Sequence, residues 1–178
     1  MQGDRRMRTD LNVKGAVFEF VIGNTLKTNF KQSKLFYDIR IKCRWLRRNE
    51  TQIDLLLLTE KAIYVIEAKN WSRGIIGNYG DYVWRGYGNQ PQGMTVVSPF
   101  LQNTLHTRMI KSRALLHGCT IPQVFSFICV PDSCVINSDC GDIVHFSQIV
   151  QKIASVEHSL TNYFDVQDVA RIIGECKV

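Results

Sequence analysis

The sequence predicts an α/β or α+β domain built around one sheet, and three observations carry that expectation. Segments with apolar residues at helical spacing are interleaved with segments of period-two alternation or short apolar runs. The chain has 178 residues, which fits one compact domain able to bury a sizeable core. Hydrophobic residues make up 45% and charged residues 21%, the balance of an ordinary globular protein rather than a disordered one.

The elements follow in chain order. Residues 1–13 are polar and arginine-rich and read as a basic N-terminal arm, with 14–178 as a single domain. From Lys14 to Phe30, the residues Val17, Phe18, Val21, Ile22 and Leu26 fall on one helical face, and Gly15, Glu19 and Gly23 form a second row four apart. Ile39, Ile41, Cys43 and Trp45 alternate with Arg40, Lys42 and Arg44, a strand with one apolar and one basic face. Two Leu/Ile/Val-rich strands are expected over Gln52 to Leu58 and Ala62 to Asn70, joined by a turn at Glu60 and Lys61. Residues 71–97 are rich in Gly, Tyr and Trp and suggest short strands and loops. Ser98-Pro99 opens a helix running to about His117, since Ser caps well and Pro suits the first helical position. Val124 to Val130 reads as a buried strand and Ile143 to Phe146 as a short one. Ser147 to His158 and Asp165 to Cys176 read as closing helices.

Charge and cysteine usage narrow the function. Twenty-two Lys and Arg against sixteen Asp and Glu give a net charge of +6, which suits a polyanionic partner without identifying it. The apolar runs Leu55 to Leu58 and Ala62 to Ile66 are too short to span a bilayer, so no membrane partner and a cytoplasmic location are expected. None of the six cysteines forms a CxxC pair. Cys129, Cys134 and Cys140 are close enough in sequence to suggest a metal or iron–sulfur site, but Cys129 lies in an apolar run where a free thiol usually serves the core.

The hairpin carries the chemistry. With Glu60 and Lys61 as its two turn residues, Asp54 stands opposite Glu67 and Gln52 opposite Lys69, all four on one face. Ile53, Leu55, Leu57, Tyr64, Ile66 and Ala68 form the other, apolar face. Two carboxylates roughly 5 Å apart repel by about 3 kcal/mol at an effective dielectric near 20. A shared proton, a cation or bulk water must offset that. Lys69 supplies one positive charge, and hard oxygen ligands suit Mg²⁺ or Mn²⁺. Such an ion would polarise a phosphodiester and acidify a bound water, which Lys69 could orient. The plainer alternative is a solvated, salt-bridged strand face. Against it, these charges interrupt strongly apolar strands, where burial is costly without a purpose.

Five ordered motifs together resemble the nuclease-related domain family, within the PD-(D/E)xK, restriction-endonuclease-like superfamily. They are Gly15-Ala-Val-Phe-Glu19, Gln52-Ile53-Asp54, Ile66-Glu67-Ala68-Lys69-Asn70-Trp71, Gly74-Ile-Ile-Gly77 with Trp84, and Ser98-Pro99-Phe-Leu-Gln102-Asn103-Thr-Leu-His106. The resemblance covers residues 13 to 118 and implies a mixed central sheet flanked by helices. It also implies that Asp54, Glu67 and Glu19 are metal ligands, with the Ala68 carbonyl as a further one. Lys69 would assist the nucleophile, Gln102 would approach from the later helix, and Gln52 joins the catalytic candidates. Ile53 stands where the wider superfamily has Pro, and Ser98 where the family has Asn. The expected activity is Mg²⁺- or Mn²⁺-dependent hydrolysis of phosphodiester bonds, with DNA as the expected substrate. A different class of function, a non-catalytic nucleic-acid-binding or protein-interaction module on the same fold, is the alternative. Arg40, Lys42, Arg44, Arg47 and Arg48 are candidate phosphate contacts or a solvated strand face. Trp71, Tyr79, Tyr82, Trp84 and Tyr87 either stack on bases or, more commonly, pack the sheet. Oligomeric state is open, a homodimer included.

Overall fold

Long-range pairing of the predicted strands produces a mixed α/β architecture. The structure is a computed structural model that describes residues 2–42, 50–88, 92–116 and 123–174. Helix α1 spans Gln2–Asn29, so it begins upstream of Lys14 and runs through the segment read as an arm. Strands β1 (Lys34–Lys42), β2 (Glu50–Leu58) and β3 (Ala62–Ala68) form an antiparallel meander. Strands β4 (Gly74–Ile76), β5 (Val83–Tyr87) and β6 (Met94–Val97) follow, then helix α2 (Pro99–Leu116). The chain continues through β7 (Gln123–Val130), β8 (Val135–Asn137), β9 (Ile143–His145), a short 3₁₀ turn, α3 (Ile149–Ser159) and α4 (Val166–Gly174).

The expected mixed central sheet flanked by helices is present, and a second, smaller sheet accompanies it. A five-stranded sheet runs β1-β2-β3-β7-β9 and a four-stranded sheet runs β6-β5-β4-β8. The second arises because β4 and β8 pair in parallel across more than fifty residues, which no local pattern announces. The larger sheet is mixed: β3, β7 and β9 are parallel, while β1, β2 and β3 are antiparallel. On one of its faces Ile22 and Leu26 of α1 and Ile149 and Ile153 of α3 pack on Leu55, Leu57, Tyr64 and Ile66. On the other, Ile110 of α2 and Val166, Val169 and Ile173 of α4 cover Leu56, Leu58, Ile63 and Val65. A third cluster joins the smaller sheet, through Ile75 and Trp84, to Ile128 and Val130 of β7. Cys129 is a core residue of the α1 face, whereas Cys134 and Cys140 belong to this third cluster.

The apolar stripe of α1 is narrower than its spacing suggests. Ile22 and Leu26 are buried, but Val17 and Val21 are exposed and border a groove with Phe18, Pro131 and Phe146. Gly23 lies beneath the Tyr37 ring, where a Cβ would meet the phenol end, so a larger residue here would have to displace that side chain.

The hairpin has the register its two-residue turn dictates. Leu55 pairs with Ile66, Leu56 with Val65, Leu57 with Tyr64 and Leu58 with Ile63. The turn is closed by Thr59 N–H donating to the Ala62 carbonyl at 3.0 Å. The Thr59 hydroxyl accepts from the backbone N–H groups of Lys61 and Ala62 and reaches Glu157 of α3 at 2.7 Å. Glu157 also accepts from the Tyr64 hydroxyl, which locks the turn to α3. Thr59→Val should therefore destabilise the fold by about 2 kcal/mol in urea titrations, because it orphans buried donors. Thr59→Ser should cost much less.

Candidate active site at the open end of the hairpin

The hairpin positions Asp54 and Glu67 just past its last recorded ladder pair, Leu55 with Ile66. On its other edge β3 stays paired with β7 along its whole length, with Glu67 across from Ile128 and Ala68 across from Cys129. Asp54 Oδ2 accepts the Ala68 N–H at 2.9 Å, so a side chain takes a donor at the point where the β2–β3 ladder ends. The Lys69 N–H donates to the Cys129 carbonyl at 2.9 Å, which fixes the base of the lysine. Its Nζ contacts Glu67 Oε1 at 2.5 Å and lies 5.9 Å from the centre of the Trp71 ring.

Charge is poorly balanced here. Glu67 is only 4% exposed. Burial, and then the charge of Glu67, push the Asp54 carboxyl up to about 7, against the Ala68 N–H and Lys69, which pull it down. Glu19 of α1 joins the same field: burial raises its carboxyl, Asp54 and Asp38 raise it further, and Lys69 lowers it. The Asn70 side chain donates to the Lys14 carbonyl at 3.0 Å and so ties the loop after β3 to α1. Asp54, Glu67, Lys69 and Glu19 are thus assembled at one place.

One expectation is corrected by the backbone. Ile53 does not share a face with Leu55 and Leu57; it packs in the opposite cluster with Leu56 and Leu58. In β1, Phe36, Ile39 and Ile41 likewise all contact that cluster, so the two strands change faces together. The change falls at Asp38, whose φ is +48°, and the pairing of β1 with β2 skips Asp38 and Asp54. Aspartate tolerates this left-handed conformation better than most residues, yet nothing in the alternating pattern revealed it.

The shift decides which neighbour reaches the site. Gln52 is exposed and pairs with Arg40 across β1, and no described contact joins it to Glu67 or Lys69. Thr51 takes the inward place instead, and its hydroxyl stands 2.8 Å from His106 Nε2. His106 Nδ1 is 3.8 Å from Glu67 Oε2. Burial, and secondarily Lys69, lower the pKa of His106 to about 4 and leave its ring neutral. Gln102 sits one turn before His106 on α2, its Oε1 buried without a hydrogen-bond partner among the described residues. Thr51 and His106 are the residues that strand alternation missed; the four-residue spacing of Gln102 and His106 was the available signal.

The basic candidates divide. Arg40 lies between Glu50 at 3.4 Å and Asp38 at 3.7 Å, and Lys42 is exposed. Arg44, Arg47 and Arg48 lie outside the described residues. Among the aromatics, Trp71 and Trp84 are core residues and Tyr87 is half-buried, while Tyr79 and Tyr82 are 58% and 70% exposed.

A family model for the nuclease-related domain matches residues 14–131. The chain belongs to the nuclease-related domain family. Its mixed sheet between helices is consistent with the restriction-endonuclease-like fold. Comparison with curated proteins and with solved structures finds no match. Among the described residues no helix is long and apolar enough to cross a membrane. The matched region holds every residue of the site and ends just beyond β7, the strand that carries the Lys69 anchor.

The Asp54 shift has a consequence for stability. Its ordinary value is 3.8, so the unfolded chain loses this proton near pH 4, whereas the folded protein keeps it to about pH 7. Between those values the folded state binds the extra proton, and stability falls as pH rises through the window. Asp54→Asn retains an acceptor for Ala68 and removes the charge. In EDTA at pH 8 it should raise stability by at least about 1 kcal/mol, the worth of one pKa unit. Near pH 4 it should change little, and thermal melts at both values check this.

Proposed function

We propose that this nuclease-related domain hydrolyses phosphodiester bonds with the help of Mg²⁺ or Mn²⁺, DNA being the substrate. The observation that carries the reading is the surplus of negative charge at the hairpin end, where Asp54 and Glu67 share Lys69 as their cation and Glu19 stands in the same field. Such a site attracts a divalent cation and would repel a phosphate without one.

The donor set fits a hard ion that keeps much of its water. Among the described residues, no three of His, Cys, Asp and Glu form a ready-made metal cage. Asp54 and Glu67 would hold the ion, with the Ala68 carbonyl and water completing the shell and Glu19 adding charge; few protein ligands are what Mg²⁺ accepts. When bound, the ion supplies Lewis-acid polarisation of the phosphodiester and a more acidic water.

The chain's own residues do the rest. Lys69 Nζ, now on Glu67 Oε1, lies on a fixed base and needs only side-chain rotation to meet a water or a phosphoryl oxygen. There it would orient the nucleophile and stabilise charge as it develops, an effect realised mainly in the transition state. The Ala68 N–H holds Asp54 so that its carboxylate does not turn away. Lys42 offers an exposed positive charge for the nucleic-acid backbone, whereas Arg40 is already shared by two acids.

The test is cleavage of labelled single- and double-stranded DNA and RNA with Mg²⁺, Mn²⁺ or EDTA. Cleavage that EDTA abolishes is expected. Lys69→Met should lower turnover by about 10²–10³-fold while leaving substrate affinity within about threefold. A folded wild type that binds nucleic acid but never cleaves it would favour the non-catalytic module instead.

A further inference from the structure

We infer that His106 is the positioning residue for Glu67, holding its carboxylate in the orientation that receives the cation. This rests on the reading of Glu67 as a cation ligand. Glu67 has two oxygens and two neighbours of different kinds: Oε1 is taken by the Lys69 ammonium and Oε2 faces His106 Nδ1 at 3.8 Å. His106 is 2% exposed, so it cannot touch a substrate and acts only through what it contacts.

The ring is fixed from two strands. Asn103, three residues earlier on α2, donates from Nδ2 to the Phe127 carbonyl of β7 at 3.0 Å and seats the helix. Thr51 of β2 holds Nε2 at 2.8 Å. The Thr51 hydroxyl can donate or accept, so the Glu67 carboxylate selects the tautomer. If Nε2 carried the proton, the Nδ1 lone pair would face a buried carboxylate, which is repulsive. If the Thr51 hydroxyl donates to Nε2, the proton sits on Nδ1 and the N–H dipole points at Glu67. Nδ1 has no hydrogen-bond partner among the described atoms, so this donor is free for Glu67 alone. At 3.8 Å it is a charge–dipole contact rather than a hydrogen bond, and a small rotation of the carboxylate closes it.

A division of labour results. Lys69 can leave Oε1 for the reacting groups while His106 keeps Oε2 in place. Ligating carboxylates and imidazoles commonly depend on such outer partners, whose loss weakens metal binding about 10–100-fold.

The test is Mn²⁺ affinity of the full chain, measured by titration calorimetry without substrate, beside thermal melts in EDTA. Wild type should bind, and Glu67→Gln should bind at least about 100-fold more weakly. His106→Ala should weaken binding about tenfold. His106→Asn places an amide donor where Nδ1–H stands and should bind within about threefold of wild type. His106→Gln places its amide at the Thr51 side and should resemble His106→Ala. A merely structural role would move the melting temperatures and leave the affinity of the folded variants unchanged. The inference is overturned if folded His106→Ala binds Mn²⁺ as wild type does, or if Gln restores binding and Asn does not. If His106→Ala fails to fold, Thr51→Val decides: it removes the hold on the ring at Nε2 and should weaken Mn²⁺ about threefold, and unchanged affinity overturns the inference. A wild type that binds no Mn²⁺, or a Glu67→Gln that binds it equally well, removes Glu67 as a ligand and the inference with it.

Discussion

Two carboxylates close together in a largely apolar sheet form an arrangement that most of the molecule either creates or tolerates. The two-residue turn sets the register that makes Asp54 and Glu67 neighbours. Thr59, Tyr64 and Glu157 fix that turn to α3. At the other end the β2–β3 ladder stops where Asp54 takes the Ala68 N–H, while β3 stays paired with β7 on its other edge. Burial raises the energy of the charged forms, and Lys69 offsets only part of it. Strain of this kind is common where a site is kept ready for a ligand and is supported by the surrounding core.

The helices act on the site from opposite faces of the sheet. Ile22 and Leu26 anchor α1, so Glu19, one turn earlier, is carried into the field of Asp54. Ile110 anchors α2, and His106, one turn before it, reaches Glu67 and Thr51. The hydrophobic contacts that stabilise the three layers therefore also set the height of the polar side chains along each helix. A helix shifted by a single residue would lose both functions together.

Much of this was legible in the sequence because it is local. The turn at Glu60 and Lys61, the alternation after it, and the capping Ser98 before Pro99 each need only a few neighbouring residues. The ordered motifs supplied Glu19 and Gln102, which periodicity alone leaves as ordinary helix residues. What could not be read depends on backbone conformation and distant pairing. The left-handed Asp38 moves Ile53 to the other face and substitutes Thr51 for Gln52, and its sequence context does not distinguish it from an exposed strand acid. The second sheet needs β8 to find β4, a choice made by the whole fold. The helical spacing of α1 likewise marked Val17 and Val21 as core, although both are exposed beside a groove.

The charge surplus at Asp54 and Glu67 is proposed to be a cation site. Anomalous scattering from crystals of the protein saturated with Mn²⁺ tests it most directly. One strong peak in contact with both carboxylates is expected, and its loss in Asp54→Asn. Ordered Asp54 and Glu67 side chains with no peak between them at saturating Mn²⁺, or a peak held by other residues alone, would contradict it.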